Sequence, residues 1–98
     1  VKLDNQVHIA HNCDIGKNTI IGAKTAIAGS TVIGEDCLIG GGCGIVDNIK
    51  IENGVRINPM TYITSSIKKS GIYSGGSVVL EHSKWLKHIT IQKKAFDD

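Results

Sequence analysis

Ninety-eight residues with a formal net charge of +2 allow one domain and lack the strongly basic or acidic balance that marks a nucleic-acid partner. Hydrophobic residues make up 41% but aromatics only 4%, with 12 glycines and one proline, so the core must be filled by aliphatic side chains rather than rings. No apolar run approaches the roughly 20 residues of a membrane span, and Val1-Lys2-Leu3-Asp4 opens no targeting segment, so a cytoplasmic protein is expected.

From the first residues an aliphatic side chain recurs at every sixth position: Leu3, Ile9, Ile15, Ile21, Ile27, Ile33, Ile39, Ile45, Ile51, Ile57 and Ile63. Beginning in mid-pattern and without methionine, the chain reads as the later part of a longer one. Two places before each aliphatic stands a small or β-branched residue, such as Val7, Cys13, Thr19, Thr25, Thr31, Cys37, Cys43, Val55 and Thr61, which shares the inward face of the same short strand. Just after the aliphatic come Ala10, Gly16, Gly22, Ala28, Gly34 and Gly40, where the chain is expected to turn through dihedrals that glycine tolerates. A period of six fits neither a helical stripe nor plain strand alternation. It fits a triangular coil of three hexads, 18 residues, with coils stacked at roughly the 4.8 Å inter-strand spacing. The expected fold is all-β, a left-handed parallel β-helix of three to four coils over residues 1–67.

Beyond Ile67 the period is lost, and 68–82 reads as an exit loop. The tail, 83–98, is predicted helical for about three turns, with Ser83 as N-cap and Trp85, Leu86, Ile89 and Phe96 on one face, although Ile89-Thr90-Ile91 also suits a strand.

Cys13, Cys37 and Cys43 all occupy the inward small position and no two are 18 residues apart, so they read as core thiols and not as disulfides. His8 and His11 flank inward Ile9 and must point outward. The repeat body has no further histidine and no Cys-x-x-Cys, so no metal and no cofactor is expected. Adding one coil to His11 gives Gly29, whose backbone N–H would lie about 5 Å from the imidazole, a pairing of general base and oxyanion donor suited to acyl transfer. Asn12, Ser30 and Asn48 form a polar column beside it.

The runs Leu3-Asp4-Asn5-Gln6-Val7-His8-Ile9-Ala10-His11-Asn12, Ile27-Ala28-Gly29-Ser30, Ile39-Gly40-Gly41 and Gly71-Ile72-Tyr73-Ser74-Gly75 resemble the C-terminal portion of the UDP-3-O-(3-hydroxyacyl)glucosamine N-acyltransferase family of lipid A synthesis. The resemblance implies a homotrimer with active sites between neighbouring β-helices. There a 3-hydroxyacyl chain passes from acyl carrier protein to the 2-amino group of a UDP-amino sugar. It implies His11 as general base, Gly29 as oxyanion donor and Asp4 as an acidic residue orienting the amine or His11. Asn48 stands where the family usually has a second histidine, and the family's N-terminal uridine-binding domain is not in this sequence. Lys84, Lys87, His88, Lys93 and Lys94 make the tail basic, fitting either an acidic carrier or a solvated face. The alternatives are a related sugar-nucleotide O-acyl- or N-acetyltransferase and a non-catalytic β-helical fragment that only trimerises.

Overall fold

A computed structural model describes residues 1–76 and 79–97, with side chains through residue 95. Among the described residues twelve short strands precede one helix: β1 (Lys2–Leu3), β2 (His8–Ile9), β3 (Asp14–Ile15), β4 (Ile20–Ile21), β5 (Ala26–Ile27), β6 (Val32–Ile33), β7 (Leu38–Ile39), β8 (Gly44–Ile45), β9 (Lys50–Ile51), β10 (Val55–Ile57), β11 (Tyr62–Ile63), β12 (Gly71–Tyr73) and α1 (His82–Asp97). From β1 to β11 successive strands belong to successive faces of a triangular prism. The first parallel sheet runs β1-β4-β7-β10-β12, the second β2-β5-β8-β11 and the third β3-β6-β9. Lys2 pairs with Ile20, Ile20 with Leu38 and Leu38 with Arg56, a rung every 18 residues. The architecture is the left-handed β-helix expected from the six-residue period, about four coils tall.

The inward isoleucines fill the prism. Ile21, Ile27 and Ile39 are fully sealed, because each has a coil above and below, whereas Leu3, with a neighbouring rung on one side only, is 51% exposed. The small inward position has a second task. Thr19, Thr25 and Thr31 donate to the carbonyls of Gly34, Gly40 and Val46 at 2.7, 2.9 and 3.0 Å, and the free thiols of Cys13, Cys37 and Cys43 reach the carbonyls of Ala28, Glu52 and Asn58 at 3.2–3.3 Å. Threonine and cysteine therefore alternate freely here, as compact donors that satisfy the next coil's buried carbonyl.

Three expectations are corrected. The left-handed backbone does not fall on the small residue after the aliphatic but two places later, at Gln6, Asn12, Asn18, Lys24, Ser30, Asp36, Gly42, Asn48, Gly54 and Met60, with φ between 57 and 71°. Glycine after the aliphatic is required instead by close approach: a Cβ on Gly16 would lie 2.5 Å from the Gly34 carbonyl carbon, and one on Gly40 would lie 2.6 Å from the Pro59 nitrogen. Secondly, the exit segment carries β12, which pairs with β10 in the register Arg56 to Ile72, and Ile67 bridges to Ile51. Both steps are 16 residues. A coil two residues short keeps the stacking while erasing the six-residue period. Thirdly, the tail helix is longer than three turns and takes in Ile89–Ile91, and its cap is Glu81, not Ser83. The Glu81 carboxylate accepts from the Ser83 N–H at 3.3 Å and from the Ser83 hydroxyl, so Ser83 lies within the first turn. The Phe96 side chain expected on the apolar face lies outside the described residues, as do residues 77 and 78 of the exit segment. Among the described residues no helix is long and apolar enough to cross a membrane.

Candidate active site

The corner that follows the second sheet brings His11 and Gly29 together. Chain geometry does this directly: the Ser30 N–H donates to the His11 carbonyl at 3.0 Å and the Asn48 N–H to the Gly29 carbonyl at 3.1 Å, which locks three successive corners in vertical register. His11 follows the inward Ile9 by two residues, so its imidazole is exposed at the corner and leans over the rung above. A Cβ on Gly29 would lie 3.2 Å from both Cε1 and Nε2 of that ring, so the missing side chain is what makes room for it. The Asn12 amide lies 3.4 Å from His11 Nδ1.

The Gly29 amide is open. At three equivalent places a side-chain oxygen covers the N–H, with Asp4 Oδ1 accepting from Asn5 at 2.7 Å, Glu52 Oε1 from Asn53 at 2.8 Å and Asn53 Oδ1 from Glu35 at 2.7 Å. At His11, Lys17, Ala23, Gly41 and Asp47 it is open among the described residues, as at Gly29, and of these Gly29 is the one with a histidine ring against it. At this corner the residues after the aliphatics are Ala10, Ala28 and Val46, which carry no such oxygen, and the Gly29 N–H has no hydrogen-bond partner among the described residues. An unsatisfied donor one rung from a histidine can bind developing negative charge beside a proton acceptor.

Asp4 and His11 sit before and after β2, flanking the same face at its opposite edges, and the Asp4 carboxylate is held by Asn5 rather than by His11. Asn48 is exposed, two rungs above Asn12, and its Nδ2 donates to Asp47 Oδ2 at 3.1 Å.

Between these edges lies a shallow groove of about 560 Å³ on the outer face of the second sheet. Its floor is small: Ala26 and Gly44 occupy outward strand positions, flanked by Ala10, Ala28 and Gly29. His8 closes one end and Tyr62 the other, the Tyr62 ring lying where a Cβ on Gly44 would be, 2.6 Å from its Cδ1. Asp47 also lines the groove and escaped the sequence reading, although the same arithmetic reaches it: His11 plus 18 is Gly29, and Gly29 plus 18 is Asp47. No three His, Cys, Asp or Glu side chains among the described residues are grouped so as to hold a metal.

The bacterial transferase hexapeptide (six repeats) family model matches residues 30–65. Along nearly its whole length the chain is similar to UDP-3-O-acylglucosamine N-acyltransferases: it is 50% identical over 97 residues to that of Pseudomonas syringae pv. tomato and 43% identical over 98 residues to that of Shewanella denitrificans, covering 99% and 100% of this chain and 28% of each relative. The protein of that name from Bordetella pertussis is 45% identical over 91 residues, 93% of this chain and 25% of its own length. Among solved structures, Serine acetyltransferase isoform 3 of Entamoeba histolytica superposes with a TM-score of 0.43 at 22% identity, over 91% of this chain and 39% of that one, too loose a likeness to bear on the site. The chain thus spans about 28% of the length of the first two relatives, and over that span it belongs to the UDP-3-O-acylglucosamine N-acyltransferase family of hexapeptide-repeat proteins.

Proposed function

We propose that the chain forms the catalytic β-helix of an N-acyltransferase that moves a 3-hydroxyacyl group from the thioester of acyl carrier protein to the 2-amino group of a UDP-3-O-acylglucosamine. The observation that carries this reading is the His11 imidazole resting over Gly29, whose amide is uncapped, in a chain so similar to enzymes of that name. The amine nitrogen attacks the thioester carbonyl carbon, and His11 Nε2 takes the proton it loses. The carbonyl oxygen becomes an oxyanion and accepts the Gly29 N–H. Collapse re-forms the C=O bond, breaks the C–S bond and returns the proton from His11 to the departing thiolate.

For Nε2 to be the base, the neutral ring must carry its proton on Nδ1. The structure places Asn12 Nδ2 3.4 Å from His11 Nδ1; the base role requires that amide turned over, so that Oδ1 accepts the Nδ1 proton and fixes the tautomer. Asp4, at the far edge of the same face, orients the amine or the histidine of a neighbouring subunit. The small-floored groove takes the acyl chain. The functional unit is a homotrimer working in the cytoplasm, with the basic faces of α1 meeting the acidic carrier.

A second reading, a non-catalytic β-helix that only trimerises, is favoured by the Asn48 amide being engaged by Asp47 instead of free for an oxyanion. Turnover of the full-length protein with 3-hydroxyacyl-carrier protein and UDP-3-O-acylglucosamine separates the two. Transfer that falls by about 10²- to 10⁴-fold in His11→Ala, with the fold retained, is the expected result. A trimer by sedimentation with no transfer would favour the second reading, and a monomer would remove the inter-subunit site from the first reading and the assembly from the second.

A further inference from the structure

Asp47 stands apart from every residue that the acyl-transfer reading uses. The vertical corner column reads His11, Gly29, Asp47, a base below, a missing side chain in the middle and a carboxylate above. Two rungs separate the outer members, roughly 10 Å of backbone at the usual strand spacing. His11 already leans up to the level of Gly29, and Gly29 and Asp47, one rung apart, line the same groove.

The charge there is unbalanced. Asp47 is the only acidic side chain lining the groove, and neither lysine nor arginine lines it. Among the described residues the carboxylate takes one hydrogen bond, from Asn48 Nδ2 to Oδ2, which leaves Oδ1 open. An exposed carboxylate with one open oxygen, on a groove that Gly29 also lines and in the corner column that holds His11 two rungs below, is complementary to a cation that can also lose a proton, which describes a primary ammonium.

We infer that Asp47 is a binding residue for the acceptor's ammonium group. That group releases one proton to bulk water before attack, so that His11 is still neutral and takes the second proton as the C–N bond forms. The inference rests on the acyl-transfer reading and adds to it the group that selects an amine over a hydroxyl acceptor. Asp47 would act before the chemistry. Its negative charge sits one rung from the oxyanion donor, where it opposes charge developing on the carbonyl oxygen, so its contribution belongs to binding and not to the transition state.

The test is binding of two probes to the full-length protein by calorimetry, UDP-3-O-acylglucosamine and its analogue with a hydroxyl in place of the 2-amino group. The wild-type protein should favour the amine by at least about fivefold, as a charge-assisted hydrogen bond allows. Asp47→Asn should bind the two alike, Asp47→Glu should restore part of the preference, and in turnover Asp47→Asn should raise KM for the amine without lowering kcat. Equal wild-type affinity for the two probes, or an undiminished preference in Asp47→Asn, would overturn the assignment of Asp47 alone. Lack of transfer by a wild-type protein that does prefer the amine would instead overturn the catalytic reading and leave the Asp47 site standing.

Discussion

The His11 imidazole occupies the space that a side chain on Gly29 would need, with Cε1 and Nε2 both 3.2 Å from the position of the absent Cβ. Gly29 is not in the left-handed region, so alanine there meets no backbone strain. The added methyl would instead push the ring aside by a few tenths of an ångström. Gly29→Ala should therefore keep its thermal midpoint while turnover falls by about ten- to a hundredfold, since small misplacements of a catalytic group are costly. Unchanged turnover would show that the ring over Gly29 is not the working base.

Much of this site could be read from the sequence because the repeat turns position into geometry. The isoleucines fix a six-residue period, three hexads make a coil, and adding 18 to His11 reaches Gly29. The same sum taken once more reaches Asp47, but a carboxylate has no fixed place in the hexad pattern and nothing in its neighbours singles it out. What escaped elsewhere depended on packing. The need for glycine after the aliphatic comes from the coil above, which no local signal displays, and the 16-residue step from Val55 to Gly71 removes the periodicity that would have betrayed β12. Glu81 carries no sequence signal as a cap, because glutamate is not among the favoured capping residues, whereas Ser83 is.

Buried threonines should prove costly to replace by an isostere. Thr25 is fully buried, donates to the Gly40 carbonyl at 2.9 Å and accepts from the Cys43 N–H at 3.2 Å. Thr25→Val keeps the shape but strands both backbone groups inside the prism, so stability should fall by about 1–3 kcal/mol, read as a lower denaturant midpoint at unchanged slope. Thr25→Ser, which keeps the hydroxyl, should recover most of it. A valine variant as stable as wild type would mean that these side-chain bonds contribute little.

The tail helix should loosen in acid before the coil does. Hydrogen bonds from the Ser83 hydroxyl and then the Ser83 and Lys84 backbone hold the Glu81 carboxyl below the ordinary glutamate range. Because the folded value is the lower one, the capping contribution is complete above the unfolded glutamate pKa and is lost as pH falls through the folded value beneath it. Helical circular dichroism should decline over that acidic window in wild type. In Glu81→Gln, which accepts the same hydrogen bonds without a titrating charge, the decline should be absent, and an identical profile in both would place the acid-sensitive group elsewhere.

Asn48 offers the sharpest test of what the family resemblance implies. Its backbone is left-handed, with φ of 57°, a region that histidine also tolerates better than most residues, and its N–H bond to the Gly29 carbonyl does not depend on the side chain. Asn48→His should therefore fold. The Asp47 carboxylate, which now accepts from the Asn48 amide, would lie beside the new imidazole and favour its charged form. A protonated imidazole makes hydrogen bonds roughly twice as strong as a neutral amide does. If it reaches the oxyanion beside the Gly29 N–H, kcat should rise about tenfold for a little over 1 kcal/mol recovered. KM should change little, because the interaction acts on charge that develops only in the transition state. Combining it with Asp47→Asn should reduce the gain, since the imidazole then loses the carboxylate that keeps it charged. A single variant with equal or lower kcat, measured in a protein that otherwise turns over normally, would show that position 48 takes no part in stabilising the oxyanion.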